Sequence, residues 1–266
     1  MQVYREMNIG TAKPTFLERE EVPHHMIDVV DPEMEFSVAE FRRQARGLID
    51  DRPDSRFLIT GGSGLHFRAL VDPMSFAPTD AALRERLEEQ PIEDLRAELA
   101  AADPTAGSHV DLANGRRVVR AVEILRLTGE TPATRAGKAE AEDLRRFVAE
   151  VEFTAVGLDP GEDLDHRVDR RLESMRKGGL IQEVESLRGR FGRTARSAVG
   201  YREIADALDA NTDLDEALSL TARNTKKLAR RQRTWFQRDP RIHWIPWLEN
   251  VDDRIERVLE VLDEPD

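Results

Sequence analysis

Apolar positions recur at helical spacing along most of the chain and at strand spacing in two short places. Phe41, Ala45, Leu48 and Ile49 share one face, and Ser37-Val-Ala-Glu40 ahead of them predicts a capping box. In that arrangement Ser37 accepts from the Glu40 amide while Glu40 reaches back, and a helix runs to about Asp50. Arg56–Thr60 (RFLIT) is a short apolar run ending in Gly61-Gly-Ser-Gly64, followed by the helix-like LHFRALV. Strand, glycine turn and helix make up the grammar of a parallel α/β sheet, so 56–60 is expected to be a sheet strand. Phe147–Gly157 alternates and is rich in β-branched residues, which predicts a second strand. Residues 73–145 are rich in Ala, Glu and Arg with helical periodicity, the pattern of an all-helical insert. Beyond 146, Leu164, Val168, Leu172 and Met175 form the stripe of a long helix ending at Gly178-Gly179. Arg167 and Arg171 lie four apart at the border of that stripe and project together. Residues 181–187 continue helically, 217–236 read as a further amphipathic helix, and the acidic tail from Asp252 as a final one. The expected fold class is α/β, with a core domain of 1–72 and 146–266 carrying a helical insert of 73–145.

Composition narrows the chemistry. The 266 residues contain no cysteine, which removes disulfides, a thiolate nucleophile and cysteine zinc sites. No apolar run approaches the ~18 residues of a membrane helix, and the start lacks a signal-peptide pattern. The expected location is the cytoplasm. A net charge of −12 argues against indiscriminate coating of nucleic acid. Within that acidic chain GRRVVRAVEILR (115–126) and RNTKKLARRQRTWFQRDPR (223–241) are strongly basic, as selective RNA docking would need. Solvated helix faces balancing nearby acids are the competing reading. GGSG could present amides to a phosphate or serve as a plain tight turn. His24 and His25 have no third ligand at metal spacing and read as structural, with Asp28 as a local partner. The opening MQVYREMNIGTAKP holds little that could form a core, yet carries an aromatic, two Gly/Pro punctuators and a lysine, and reads as an active-site loop.

Eight segments identify what this pattern belongs to. MQVYREMNIGTAKP, VPHHMIDVVDP, FSVAEF, ITGGSGL, RRVVRAVEILRLTGETP, GLIQEV, AVGYREI and LARRQRTWFQRDPRIHW follow one another over Met1–Trp244. In order and spacing the chain closely resembles the bacterial tRNA dimethylallyltransferases. The resemblance implies a P-loop-kinase-like parallel sheet core with a helical insert that grips the tRNA anticodon stem-loop. It also implies transfer of a dimethylallyl group from dimethylallyl diphosphate to N6 of adenine 37, in tRNAs reading codons that start with U. Mg2+ accompanies the diphosphate, and the family implies a monomer.

By the same resemblance, Arg171 falls at the diphosphate arginine and Arg167 at its mate one turn earlier. Ser63 stands where the family usually has Thr, near the bound RNA and substrate. Met1 and Gln2, Arg84, then Arg116, Arg117 and Arg120, and finally Ser197, Gly200, Tyr201 and Arg202 match tRNA-contacting positions. His66 replaces a usual Tyr. Gly161 and DLDHRV depart from the common pattern before the helix arginine. Lys226 replaces an Arg that could offer two donors in one plane. Trp235 reads as a packing residue.

One departure is larger. In the family MQVYR is directly preceded by Asp-Ser, whose Asp is the proposed general base, and further upstream by a strand and a Gly-Lys phosphate loop. No G-x-x-x-x-G-K-[ST] occurs in these 266 residues. The expectation is that Met1 is an internal methionine of a longer protein. On that expectation the chain as given lacks its first strand, phosphate loop and base, has little or no transferase activity, and shows reduced stability or a groove exposed beside 56–60. The alternatives are a non-catalytic tRNA-binding remnant, an adenylate isopentenyltransferase acting on a free nucleotide, and a small-molecule kinase of the same fold.

Overall fold

A computed structural model describes residues 1–263, and the last three residues of the acidic tail lie outside it. In chain order the helices are α1 (Phe16–Glu21), α2 (Val38–Asp50), α3 (Gly64–Val71), α4 (Ala81–Glu88), α5 (Ile92–Ala102), α6 (Gly115–Thr128), α7 (Pro132–Ala136) and α8 (Ala139–Arg145). Strand β1 (Ala155–Asp159) precedes α9 (Leu164–Lys177), α10 (Leu180–Leu187), α11 (Arg193–Arg196), α12 (Tyr201–Ala210) and α13 (Leu214–Phe236), and β2 (Ile242–Pro246) precedes α14 (Val251–Asp263). Strands β1 and β2 run parallel, Ala155 opposite Ile242 and Asp159 opposite Pro246. Helices α9 to α13 form the crossover that a parallel pair requires. The chain divides into two compact units, Met1–Leu70 with Phe153–Asp266, and Val71–Glu152.

Two strand expectations are corrected. Segment 56–60 is not a strand: among the described residues no neighbouring strand offers it a ladder, and Leu58 and Ile59 are 78% and 57% exposed. The strand expected over 147–157 begins only at Ala155. Phe147 sits at φ +58°, a left-handed conformation incompatible with a strand, and pairing starts where β2 supplies partners. Helix caps also differ from the reading. Ser37 does accept from the Glu40 amide at 3.1 Å, but the Glu40 carboxylate turns to Arg43 and Gln44 instead of reaching back. The reciprocal box forms at α1, where Thr15 and Glu18 cap each other.

In the first unit the core gathers Leu180, Val184 and Leu187 of α10 with Tyr201, Ile204 and Ala205 of α12 and Leu218 of α13. Leu172 and Met175 of the α9 stripe pack against it. The opening segment joins this core, contrary to the reading that it holds little to bury. Tyr4 and Met7 are 1% and 0% exposed, and Val3 and Ile9 pack beside them. Hydrogen bonds from Arg5 N–H to Val30 O (2.8 Å) and from Val29 N–H to Val3 O (2.7 Å) bind that segment to 28–30. The second unit has its own core of Leu87, Leu95, Leu99, Ala106, Val118, Val119, Ala121 and Val122. Its helix α6 is capped by the Asn114 side chain and stopped at Gly129, whose φ of +73° suits glycine.

Candidate functional site

The opening loop is built around one carboxylate. Glu183, in the first turn of α10, accepts from the backbone N–H groups of Asn8 (2.8 Å), Ile9 (2.7 Å) and Gly10 (3.1 Å). The Tyr201 hydroxyl donates to it as a fourth partner. Burial, then this carboxylate, push the phenol far above its ordinary pKa, so it stays a donor. The Tyr201 ring lies against Gly10, where an added Cβ would meet it at 2.5 Å. Lys13, its side chain 2% exposed, donates to Tyr4 O, Asn8 Oδ1 and Asp28 Oδ1. Asp28 is therefore the partner of Lys13 and Arg19, not of the histidines; His24 Nδ1 lies 2.7 Å from Val22 O. Burial works against the Asp28 charge, and these two cations outweigh it, holding the carboxyl below its ordinary range. Gln2 lies over the loop, Nε2 donating to Thr11 O (3.1 Å) and Ala12 O (3.0 Å).

Ser63 is exposed at the entry to α3, its hydroxyl 2.8 Å from His66 Nδ1. Burial lowers the His66 pKa, and the backbone nitrogen of Met1 lies near enough to add to the shift. Met1, Gln2 and Ser63 thus share one neighbourhood. The glycines of GGSG serve close packing: a Cβ on Gly62 would meet Gln232, and one on Gly64 would run into the Trp235 ring. Trp235 also meets Phe236 edge-on at 4.9 Å, a packing role.

The helix arginines of α9 separate. Arg167 stacks its guanidinium on Trp247, 3.6 Å from the ring centroid, and Arg254 covers the same ring at 3.9 Å. Stacking occupies the face of Arg167 and leaves its N–H edges for other partners. Arg171 is exposed and has no ion pair among the described residues. The neighbouring acids of α9 pair with α13 instead, Asp165 with Arg230 at 2.8 Å and Asp169 with Lys226 at 2.8 Å. One turn further along α13, Arg233 pairs with Asp159 at the end of β1 at 2.6 Å.

In the second unit Arg84 and Arg120 converge on Glu123, which is fully buried. Asp80 N–H donates to the same carboxylate, and Arg120 also donates to Ala77 O and Pro78 O. Burial disfavours the Glu123 charge, but these donors outweigh it and hold the carboxyl below its ordinary range. Arg117 is exposed, with Asp111 3.7 Å away. Arg116, one residue before it, is exposed and without an ion pair among the described residues. The four arginines therefore split into two that are spent on internal structure and two that face solvent.

Segment 197–202 is also two-layered. Ser197 and Arg202 are exposed, Ser197 Oγ donating to Thr194 O at 2.7 Å and Arg202 to Glu203 at 2.6 Å. Gly200, at φ +93°, and Tyr201 are buried, so Tyr201 supports the segment from beneath. Among the described residues no three His, Asp or Glu side chains converge as a metal cage. Among them no helix is long and apolar enough to cross a membrane.

Sequence reading passed over Glu183, Glu123 and Trp247. The signal for the two carboxylates was available: Glu183 sits beside Val184 and three residues past Leu180, and Glu123 interrupts an apolar helix face. A carboxylate drawn out of water, fully for Glu123 and partly for Glu183, is costly unless paired, so each marks a network.

Comparison with known proteins fits this geometry to one family. The IPP transferase family model matches residues 2–239. A tRNA dimethylallyltransferase of Bifidobacterium longum is 45% identical over 251 residues, covering 92% of this chain and 74% of its own. That of Kineococcus radiotolerans is 44% identical over 274 residues, covering 98% and 84%. Among solved structures, the tRNA isopentenylpyrophosphate transferase of Bacillus halodurans superposes with a TM-score of 0.66 at 33% identity, covering 97% of this chain and 83% of its own. The tRNA delta(2)-isopentenylpyrophosphate transferase of Staphylococcus epidermidis gives 0.66 at 29%, covering 98% and 88%. With most of its length inside the family model and relatives well above 30% identity, this α/β chain belongs to the IPP transferase family.

Proposed function

We propose that this chain is a tRNA dimethylallyltransferase acting on adenine 37, beside the anticodon of tRNAs that read U-starting codons. The observation that carries the reading is the 45% identity, over 92% of the chain, with a relative of that name. In the reaction the adenine N6 attacks the primary allylic carbon of dimethylallyl diphosphate. The carbon–oxygen bond breaks, diphosphate departs, and the N6 proton passes to a base. Arg171, a cation with no ion pair among the described residues, is the group we place on the departing diphosphate, where charge develops. Arg167 would add N–H edges from its perch on Trp247. The solvent-facing Arg116, Arg117 and Arg202 would meet RNA phosphates. Ser63, Met1 and Gln2 would line the place of the flipped base. Magnesium enters this reading as a companion of the diphosphate alone, and the enzyme works as a monomer in the cytoplasm.

A polypeptide of only these 266 residues contains no Gly-Lys phosphate loop. It is expected to turn over orders of magnitude more slowly than a version supplied with that loop and a base, since one general base is worth ~10²–10⁴ in rate. The test incubates both polypeptides with dimethylallyl diphosphate and either an anticodon stem-loop or AMP, and reads the nucleosides by mass. Prenylated adenosine from the stem-loop, lost when adenine 37 is replaced by guanine, supports the reading. Product from AMP alone would replace it with a nucleotide prenyltransferase.

A further inference from the structure

Residues 8–12 belong to no helix or strand, yet their shape is closely held. Ala12 sits at φ +48°, an unfavourable conformation for a residue with a Cβ, which persists only where surroundings impose it. The loop closes on itself through Ala12 N–H to Ile9 O and Lys13 N–H to Asn8 O, both 3.0 Å, and through Thr11 Oγ1 to Met7 O. This closed loop hangs on the core by the four donors that meet Glu183. On the loop's other side its last two carbonyls, Thr11 O and Ala12 O, receive both N–H bonds of Gln2.

That last contact fixes a direction. Both neighbours of the Gln2 amide are carbonyl oxygens, so its NH₂ end must face them. Its Oε1 is left facing away as an acceptor with no donor among the described residues. A freely turning glutamine can satisfy a donor or an acceptor equally well. A locked one accepts only, and a site built that way rejects a group that offers another acceptor. Among the described residues the Glu183 carboxylate has no hydrogen-bond partner beyond the loop and Tyr201, and the backbone it holds at 8–10 leads directly into the two carbonyls.

We infer that Glu183 is a positioning residue: through backbone 8–12 it locks the Gln2 amide as a one-way acceptor for an exocyclic amino group on the RNA. The inference rests on the tRNA reading above and adds to it a source of discrimination between an amino and a carbonyl group. Replacing Glu183 with Gln turns an NH₂ toward N–H donors and should release the loop. Tyr201→Phe removes one of the four donors and should loosen it less.

The test measures binding of the full chain to a short anticodon stem-loop carrying either adenine or hypoxanthine at the modified position. Wild type is expected to prefer adenine about tenfold, the worth of one well-placed hydrogen bond against an unpaired acceptor. Glu183→Gln should bring that preference close to one, as should Gln2→Ala, and the double variant should lose nothing more. A merely structural Glu183 would weaken both RNAs alike and would keep its effect in the Gln2→Ala background; either result overturns the inference. Should Glu183→Gln fail to fold, Tyr201→Phe carries the same comparison, with a smaller loss that again vanishes beside Gln2→Ala. Wild type binding neither RNA would instead overturn the tRNA reading itself.

Discussion

Arg116 and Arg120 lie four residues apart on one helix and carry the same charge, but the structure gives them different work. Arg120 is committed to Glu123, Ala77 O and Pro78 O, and removing it leaves the buried Glu123 carboxylate one donor short, while the exposed Pro78 carbonyl can turn to water. Unpaired buried groups of this kind cost about 1–3 kcal/mol each before relaxation. Arg84 remains on Glu123 and softens the loss. Arg120→Ala is therefore expected to lower the unfolding free energy by about 2–3 kcal/mol in urea denaturation. Arg116→Ala should leave it within ~0.5 kcal/mol. The order reverses for RNA: losing Arg116 should flatten the slope of log affinity against log salt by about one phosphate contact. An Arg116→Ala variant that melts early and binds tRNA normally would exchange these assignments. Residue spacing showed that both could reach RNA; it could not show which guanidinium was already spent, because that depends on a glutamate buried among valines.

Elements differ in how much of them can be read locally. The α2, α6, α9 and α13 helices follow from apolar spacing, because a helix satisfies its own backbone within a turn or two of sequence. Segment 56–60 shows the opposite case. Its apolar residues suit a strand, but a strand exists only beside another, and none pairs with it among the described residues. Its amides should exchange with solvent orders of magnitude faster than those of β1, whose residues pair with β2 from Ala155 to Asp159. Hydrogen exchange read by mass spectrometry compares the two directly, and equal protection would show that 56–60 is paired in solution. The opening loop escaped sequence reading for a related reason. Tyr4 and Met7 have no periodicity to mark them, and only the tertiary contacts with α10 and α12 reveal that they are core.

At the scale of the whole molecule, acid is the condition to which this architecture is most exposed. The chain has 52 Asp and Glu against 40 Lys and Arg, and many of the carboxylates hold structure together. Asp28, Glu203 and Asp239 in the first unit and Asp103 and Glu123 in the second all sit below their ordinary values of 3.8 or 4.5. Burial pushes the other way in all five and is the largest single influence in four, where arginine, lysine, asparagine or backbone donors together outweigh it. For Asp103 the hydrogen bond from Thr105 leads. A carboxyl whose pKa is depressed on folding binds its proton more readily in the unfolded chain. Its contribution is complete above the unfolded value and is lost as pH falls through the folded one. Summed over both units, the urea midpoint should stay level from pH 8 to 6 and fall steadily below about pH 4.5, as the unfolded carboxyls begin to take up protons. Lys and Arg left unopposed then add self-repulsion. Glu123→Gln tests the assignment of cause: the variant begins less stable at pH 7, having lost a charged partner for Arg84 and Arg120, but its midpoint should fall less steeply on acidification. Parallel slopes for wild type and variant would mean that Glu123 does not titrate between the two states, and that its depressed pKa has no part in the acid sensitivity.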